Sequence, residues 1–251
     1  MHLIGRVTSA KSAIRHMAST PPWIGTCPIC RGLTLFLAMG TWLREDLKCA
    51  RCKSSSRQRA VIDYLARTFP ALGEMHVYEP SPTQPGTGYI RKHSSIHTGS
   101  FYSTAFHPER PDDLLIQDLQ SLSFADDCFD LVVSQDVFEH IADPRKAFAE
   151  VSRVLKPGGS HVFTIPWYPD QKTEPRAEMK DDKVHHLQAP EYHSDPYDYN
   201  GSLVFTRFGS DTTRIIMKSS GMQTSITKAE DYRKGIYGDS LYIFHSINPT
   251  G

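Results

Sequence analysis

The spacing of apolar residues changes several times along the chain. Leu33, Leu35 and Leu37 alternate, Gly40 follows, and a second short apolar run comes after it, the pattern of a hairpin. Beyond a serine cluster at 54–56 the period lengthens. Val61, Ile62, Leu65, Ala66 and Phe69 fall on one face of a capped helix that Pro70 closes. Residues 75–80 read as a short strand, 81–88 as a loop, 93–102 as another strand. Residues 112–119 form an apolar run ending near Asp118, and 131–134 a buried strand. Then Asp143 and Pro144 supply a helix start, with Ala147, Phe148, Val151, Val154 and Leu155 as its inward stripe. Pro157-Gly158-Gly159 follows, and residues 160–166 return as a strand. A capped helix ending at Gly221 and two last strands, joined by a turn at 232–238, complete the reading. Strands alternating with helices predict a Rossmann-like α/β fold, with helices on both faces of a mainly parallel sheet. Such sheets bind ligands outside the carboxyl ends of the strands, where the strand order reverses.

Composition narrows the classes. The 251 residues are 39% hydrophobic and 22% charged, which excludes a disordered or fibrous chain. No apolar run approaches the ~18 residues that a spanning helix needs, so no membrane partner is expected. Net charge is zero, but unevenly divided. Residues 1–70 carry eleven Lys and Arg against three Asp and Glu, a balance of +8, which leaves −8 for the rest. A basic head therefore precedes an acidic body.

Four of the five cysteines form two pairs, Cys27/Cys30 and Cys49/Cys52, separated by 18 residues. Each C-x2-C turn offers two thiolates to one tetrahedral ion, and the hairpin between them returns the chain to the same metal. A zinc ribbon over 23–56 is expected, with Zn2+ structural because four thiolates leave no open position. Two disulfides in a secreted chain are the alternative. The first 20 residues lack a continuous apolar stretch of the secretory kind, so a cytoplasmic protein is expected. Residues 1–22 read as a basic arm, with a transit-peptide-like composition as a second reading. Cys128 has no assigned role.

Residues 117–166 resemble the class I S-adenosylmethionine (SAM)-dependent methyltransferases, in particular the type 11 group. The resemblance extends over about 72–246, within a domain taken as 57–251. It implies a seven-stranded sheet, SAM as cofactor and methyl transfer as the reaction. It further implies that Asp118 accepts from the adenine amine, that Leu119 packs on the adenine, and that Gln135 and Asp136 line the transfer pocket. Glu139-His140 follows, with His140 a candidate base. The stretch after the first strand of the domain departs from the family. Tyr78, Glu79 and Ser81 occupy the place of an acid followed by a glycine-rich loop, and Phe101 stands where a ribose-binding acid is usual. Without glycine the backbone approaches a ligand less closely. Ser100, or Glu79 itself, is left to hold the sugar and methionine ends.

A histidine-rich insertion spans about 167–205. Three readings stand: a second metal site, an acceptor-binding lid with His186 or His193 as general base, or a surface loop. For the whole chain, methyl transfer to a small molecule such as a sugar or secondary-metabolite intermediate is favoured. An RNA methyltransferase using the basic head, and a fold relative that binds SAM without methylating, are the alternatives. A monomer or homodimer is expected.

Overall fold

The computed structural model describes residues 20–102, 115–194 and 201–250. The basic arm lies outside these residues except for its last three positions, as does the start of the apolar run expected at 112–119.

Three antiparallel strands, β1 (Trp23–Cys27), β2 (Gly32–Ala38) and β3 (Leu47–Cys49), build the head, with one helical turn, α1 (Leu43–Asp46), between the last two. The hairpin is present, but the leucines face out: Leu33 and Leu35 are 69% and 44% exposed, while Thr34 and Phe36 are buried. Alternation says which side chains share a face, not which face is covered. Here Phe36 packs inward with Cys27, Leu47 and Cys49.

Helix α2 (Ser56–Thr68) starts from a capping box, Ser55 with Gln58, and buries Val61, Ile62 and Leu65. The body continues with β4 (His76–Pro80), α3 (Gly86–His93), β5 (Ile96–Phe101), β6 (Leu115–Ile116), β7 (Phe129–Gln135), α4 (Pro144–Val154) and β8 (Leu155–Thr164). Asp143 caps α4 by accepting from Arg145 N, with Pro144 as first residue. After the insertion come α5 (Thr212–Ser220), closed by Gly221 at φ 74°, then β16 (Gln223–Lys228) and β17 (Tyr242–Ile247).

Seven strands form one sheet in the order β16-β17-β8-β7-β4-β5-β6. The five strands from β6 to β8 run parallel, and β17 is antiparallel to both neighbours. The chain moves outward from β4 through β5 to β6, then crosses back to β7. The order reverses between β4 and β7, and the carboxyl ends of such strands are where sheets of this kind bind ligands. Both faces are covered. Leu131 and Val133 of β7 join Val61, Ile62 and Leu65 on one side, and Val132 joins Phe148, Val151 and Phe163 on the other.

Residues 81–88, expected to be all loop, enter α3 at Gly86. The helix is short, so its apolar period is hard to see in the sequence. The insertion is built of short strands: β9 (Trp167–Tyr168), β10 (Glu174–Pro175), β11 (Ala177–Lys180), β12 (Lys183–His186), β13 (Tyr192–His193), β14 (Ser202–Leu203) and β15 (Thr206–Gly209). Its return is tied to the body where Phe205 N donates to Glu139 O at 2.8 Å, and to itself where Val204 N donates to Glu191 O at 2.9 Å.

Candidate functional site

The two C-x2-C turns bring Cys27, Cys30, Cys49 and Cys52 together, with all four sulfurs within 4.8 Å of one another. Cys27 and Cys52 Sγ are 3.7 Å apart, Cys30 and Cys49 3.9 Å. A tetrahedron of thiolates around zinc has sulfur–sulfur edges of about 3.8 Å, so the cluster has the size of a four-thiolate site.

The basic head meets the acidic body. Arg44, 1% exposed, grips Asp136 with both nitrogens, at 2.6 and 2.7 Å. Arg57 Nε lies 3.2 Å from the same carboxylate, and Glu45 pairs with both arginines at 2.8 and 2.5 Å. Burial alone would raise the Asp136 pKa, but Arg44 and Arg57 hold it well below the usual carboxylate range. Arg59, fully buried, donates to Ser54 O, to Leu47 O at 2.9 Å and to Gly235 O at 2.6 Å. Gly235, at φ 65°, lets Phe36 sit against the backbone where a Cβ would strike its ring. Trp23 stacks on Tyr232 at 4.2 Å.

The expected cofactor residues lie toward or just beyond the carboxyl ends of β4, β5, β6 and β7, in differing states. Ser81 takes φ 51°, the left-handed conformation usual for glycine, and its N–H donates to Ser100 O at 2.8 Å. The sharp turn is thus made without a glycine. Glu79 is 2% exposed and already engaged: Thr87 Oγ1 donates to one oxygen at 3.0 Å and His97 Nε2 lies 2.9 Å from the other. Burial raises its pKa, and His97 and Thr87 draw it back. Tyr78 is buried in the core against Phe129, its hydroxyl 2.7 Å from Ser100 Oγ. Tyr78 therefore supports the site from below rather than facing a ligand, and the Ser100 hydroxyl already has a partner. Phe101 is 7% exposed and Leu119 packs in the core. Asp118 opens a two-residue turn and is half-buried, its carboxylate accepting from Gln120 N at 2.9 Å and from Gln120 Nε2 at 3.1 and 3.3 Å. Gln135 ends β7. Its Oε1 accepts from Arg57 at 3.2 Å, and its buried amide nitrogen has no partner beside Gly86, the first residue of α3.

Past β7, Glu139 and His140 stand under the insertion. Glu139 is 1% exposed and neither carboxylate oxygen has a hydrogen-bond partner. His140 Nε2 lies 3.7 Å and His193 Nδ1 3.8 Å from Glu139 Oε1. Burial lowers the His193 pKa, but the Glu139 and Glu191 carboxylates outweigh it and leave it raised. His186 does not join them. It is exposed on β12, paired with Ala177 across a hairpin whose two-residue turn, Asp181-Asp182, has positive φ at both positions. Such a tight turn carries the hairpin outward.

Comparison with known proteins adds to this geometry. Residues 100–163 match the model of a methyltransferase domain. A dimethylglycine N-methyltransferase of Parasynechococcus marenigrum is 51% identical over 51 residues, which is 20% of this chain and 18% of the relative. Among solved structures, a chain of the complex between the Haloferax volcanii Trm112 methyltransferase activator and a methyltransferase has TM-score 0.52 at 19% identity, covering 77% of this chain and 90% of that one. The SAM-bound amino pentose methyltransferase of Micromonospora echinaspora has TM-score 0.52 at 13% identity, covering 78% and 92%. The chain therefore shares the α/β fold of these methyltransferases, and its matched segment at 100–163 is similar to a methyltransferase domain. It spans less than a quarter of the length of the first curated relatives it matches.

Several residues of the head and the body were silent in the sequence. Arg44 and Arg57 gave no sign of converging on Asp136, 92 and 79 positions away. Only the opposite charges of head and body pointed to their docking. Glu139 carried no signal beyond its place before His140.

Proposed function

We propose that the chain is a SAM-dependent methyltransferase acting on a small-molecule acceptor, with a structural zinc in its head. The observation that carries the reading is the reversal of strand order between β4 and β7, with Ser81 and Gln135 at the carboxyl ends of these strands, together with the matched segment at 100–163. The fit to SAM rests on a donor and an acceptor. The Gln135 amide is buried without a partner, and a bound ligand would supply its acceptor. Asp118 is half-buried, and its carboxylate accepts from the Gln120 side-chain amide, the kind of donor that an adenine amine would replace.

When bound, SAM would supply a sulfonium methyl group that transfers by in-line displacement. The residues of the chain would orient and exclude water. Asp118 would accept from the adenine amine and Gln135 donate to the cofactor. The Ser81 turn and the first residues of α3 would border its methionine end. His140 and His193, beside Glu139, are, when no metal holds them, the groups available to take a proton from an acceptor hydroxyl or ammonium. His186 is too exposed for that role. The cysteine cluster, with edges matching a thiolate tetrahedron, supports Zn2+ as a structural ion.

A small-molecule acceptor is favoured over RNA because Arg44, Arg57 and Arg59 are committed to the body, which removes them from phosphate contact. The acceptor class includes sugars, as for the amino pentose enzyme of similar fold. Calorimetry with S-adenosylhomocysteine tests the reading. Binding is expected, and Asp118→Ala should weaken it by about 1–3 kcal/mol. No binding at millimolar ligand would refute a SAM-dependent activity, and unchanged affinity in the variant would remove Asp118 from the site. A gel shift with total RNA at low salt would favour the RNA reading.

A further inference from the structure

We infer that Glu139, His140 and His193 form a second metal site, separate from the cysteine cluster, that takes a divalent transition-metal ion through two imidazole nitrogens and one carboxylate. Their ligand atoms lie within 4.8 Å of one another. The distances from Glu139 Oε1 to His140 Nε2 and to His193 Nδ1 are 3.7 and 3.8 Å. An ion bound at about 2.1 Å in tetrahedral geometry needs ligand atoms about 3.4 Å apart. The two edges from Glu139 exceed that separation by about 0.3 and 0.4 Å, and the edge between the two imidazoles is at most 4.8 Å.

Three further observations point to a ligand. First, the Glu139 carboxylate is 1% exposed and makes no hydrogen bond through either oxygen. A buried polar group that makes no hydrogen bond is costly, and a bound cation would remove that cost. Second, His140 Nδ1 lies 2.8 Å from Leu203 O. A carbonyl can only accept, so Nδ1 carries the hydrogen, and in the neutral ring the lone pair of Nε2 is directed toward Glu139. Metal-ligating histidines are oriented by this kind of bond from the other ring nitrogen. Third, His193 sits between two carboxylates: Nδ1 faces Glu139, and Nε2 is 3.7 Å from Glu191 Oε1. Glu191 is itself fixed by Arg207 at 2.8 Å and lies 3.2 Å from Arg176. It stands where an outer carboxylate would steady a ligating imidazole.

Two histidines and one carboxylate suit zinc, cobalt or iron more than magnesium or calcium, which prefer oxygen alone. His140 and His193 keep 20% and 31% of their side chains exposed, so the ion has a path in. With three protein ligands, a fourth position stays open to water or to an oxygen or nitrogen of an acceptor. The cysteine cluster has four ligands and no such opening. The site joins the turn after β7 to β13, so the ion would hold the insertion against the body.

The test is cobalt titration of the full chain with zinc already in the cysteine cluster, followed by absorption and by metal analysis of the dialysed protein. One Co2+ per chain is expected without a thiolate-to-metal charge-transfer band. His193→Ala and Glu139→Gln should each abolish this uptake, and Glu191→Gln should weaken it about tenfold. Absence of cobalt uptake beyond the cysteine cluster, or uptake that survives both ligand variants, would overturn the inference. His193 is partly exposed, so its variant keeps the test open if Glu139→Gln fails to fold. Titrating S-adenosylhomocysteine into the same preparations separates the two proposals. Cofactor binding without cobalt refutes only the metal site, and cobalt without cofactor binding refutes only the methyltransferase reading.

Discussion

Asp136→Asn tests how head and body are joined. The wild-type carboxylate receives two charge-assisted hydrogen bonds from Arg44, at 2.6 and 2.7 Å, and a third contact from Arg57 at 3.2 Å. Arg44 is 1% exposed and Asp136 18%, so water cannot replace the lost partner. Removing one member of a buried ion pair costs about 3–5 kcal/mol, because the other charge stays buried. Glu45 remains beside Arg44 at 2.8 Å, which places the expectation at the low end, about 3 kcal/mol. For a domain of this size that corresponds to a fall in Tm of about 6–12 °C. Urea unfolding measures it. Arg44→Met should cost a similar amount, and the double variant less than the sum of the two. Moderate salt should change the loss little, since the pair is buried. The folded-state pKa of Asp136 is lowered. The contribution of the clamp is therefore fully present above about pH 4 and is lost only as pH falls below the unfolded value. A loss below 1 kcal/mol in both single variants would refute a docked head and return the basic residues to solvent.

Two other outcomes are expected. Metal analysis should find zinc bound by the head, and Cys49→Ser should lose it and destabilise the head, seen as new proteolytic cleavage before residue 56; an intact head after removal of the metal would count against a structural ion. Burial holds His161 at about 3, below its unfolded value near 6.5, so its contribution is full above that value and declines as pH falls. The decline between pH 7.5 and 5 is about 2 kcal/mol, and His161→Gln should flatten the curve by that amount, whereas identical pH slopes in the two proteins would exclude the effect.

Much of the sheet was legible because its strands are apolar runs between helices with clear starts. Asp143-Pro144 and Gly221 marked helix ends through local chemistry, which sequence records directly. The α3 helix was not legible, because eight residues opening on Gly-Thr-Gly give little period. The buried face of β2 was not legible either, since it depends on what the body presents to Phe36. The same holds for the site. The cysteine spacing encodes a tetrahedron, and it can be read without a fold. Glu79 looked like a free ribose ligand until β5 brought His97 beside it, 18 positions on. Ser81 hid a turn that glycine usually announces. The Glu139–His193 pairing crosses 54 positions and depends on the path of the insertion, which no local pattern determines.

The head docks on a segment made much later than itself. Trp23 Nε1 donates to Tyr232 O and Arg59 to Gly235 O, separations of 209 and 176 residues. On a ribosome adding about 5–20 residues per second, the head emerges many seconds before its partner surface exists. During that interval Phe36 and Arg59 lack the backbone they rest against, and the strand edges of the body are incomplete. Truncated or stalled chains ending before residue 231 would expose that face permanently. They should be recognised by chaperones and proteases, because the turn around Tyr232–Gly235 is what covers the head.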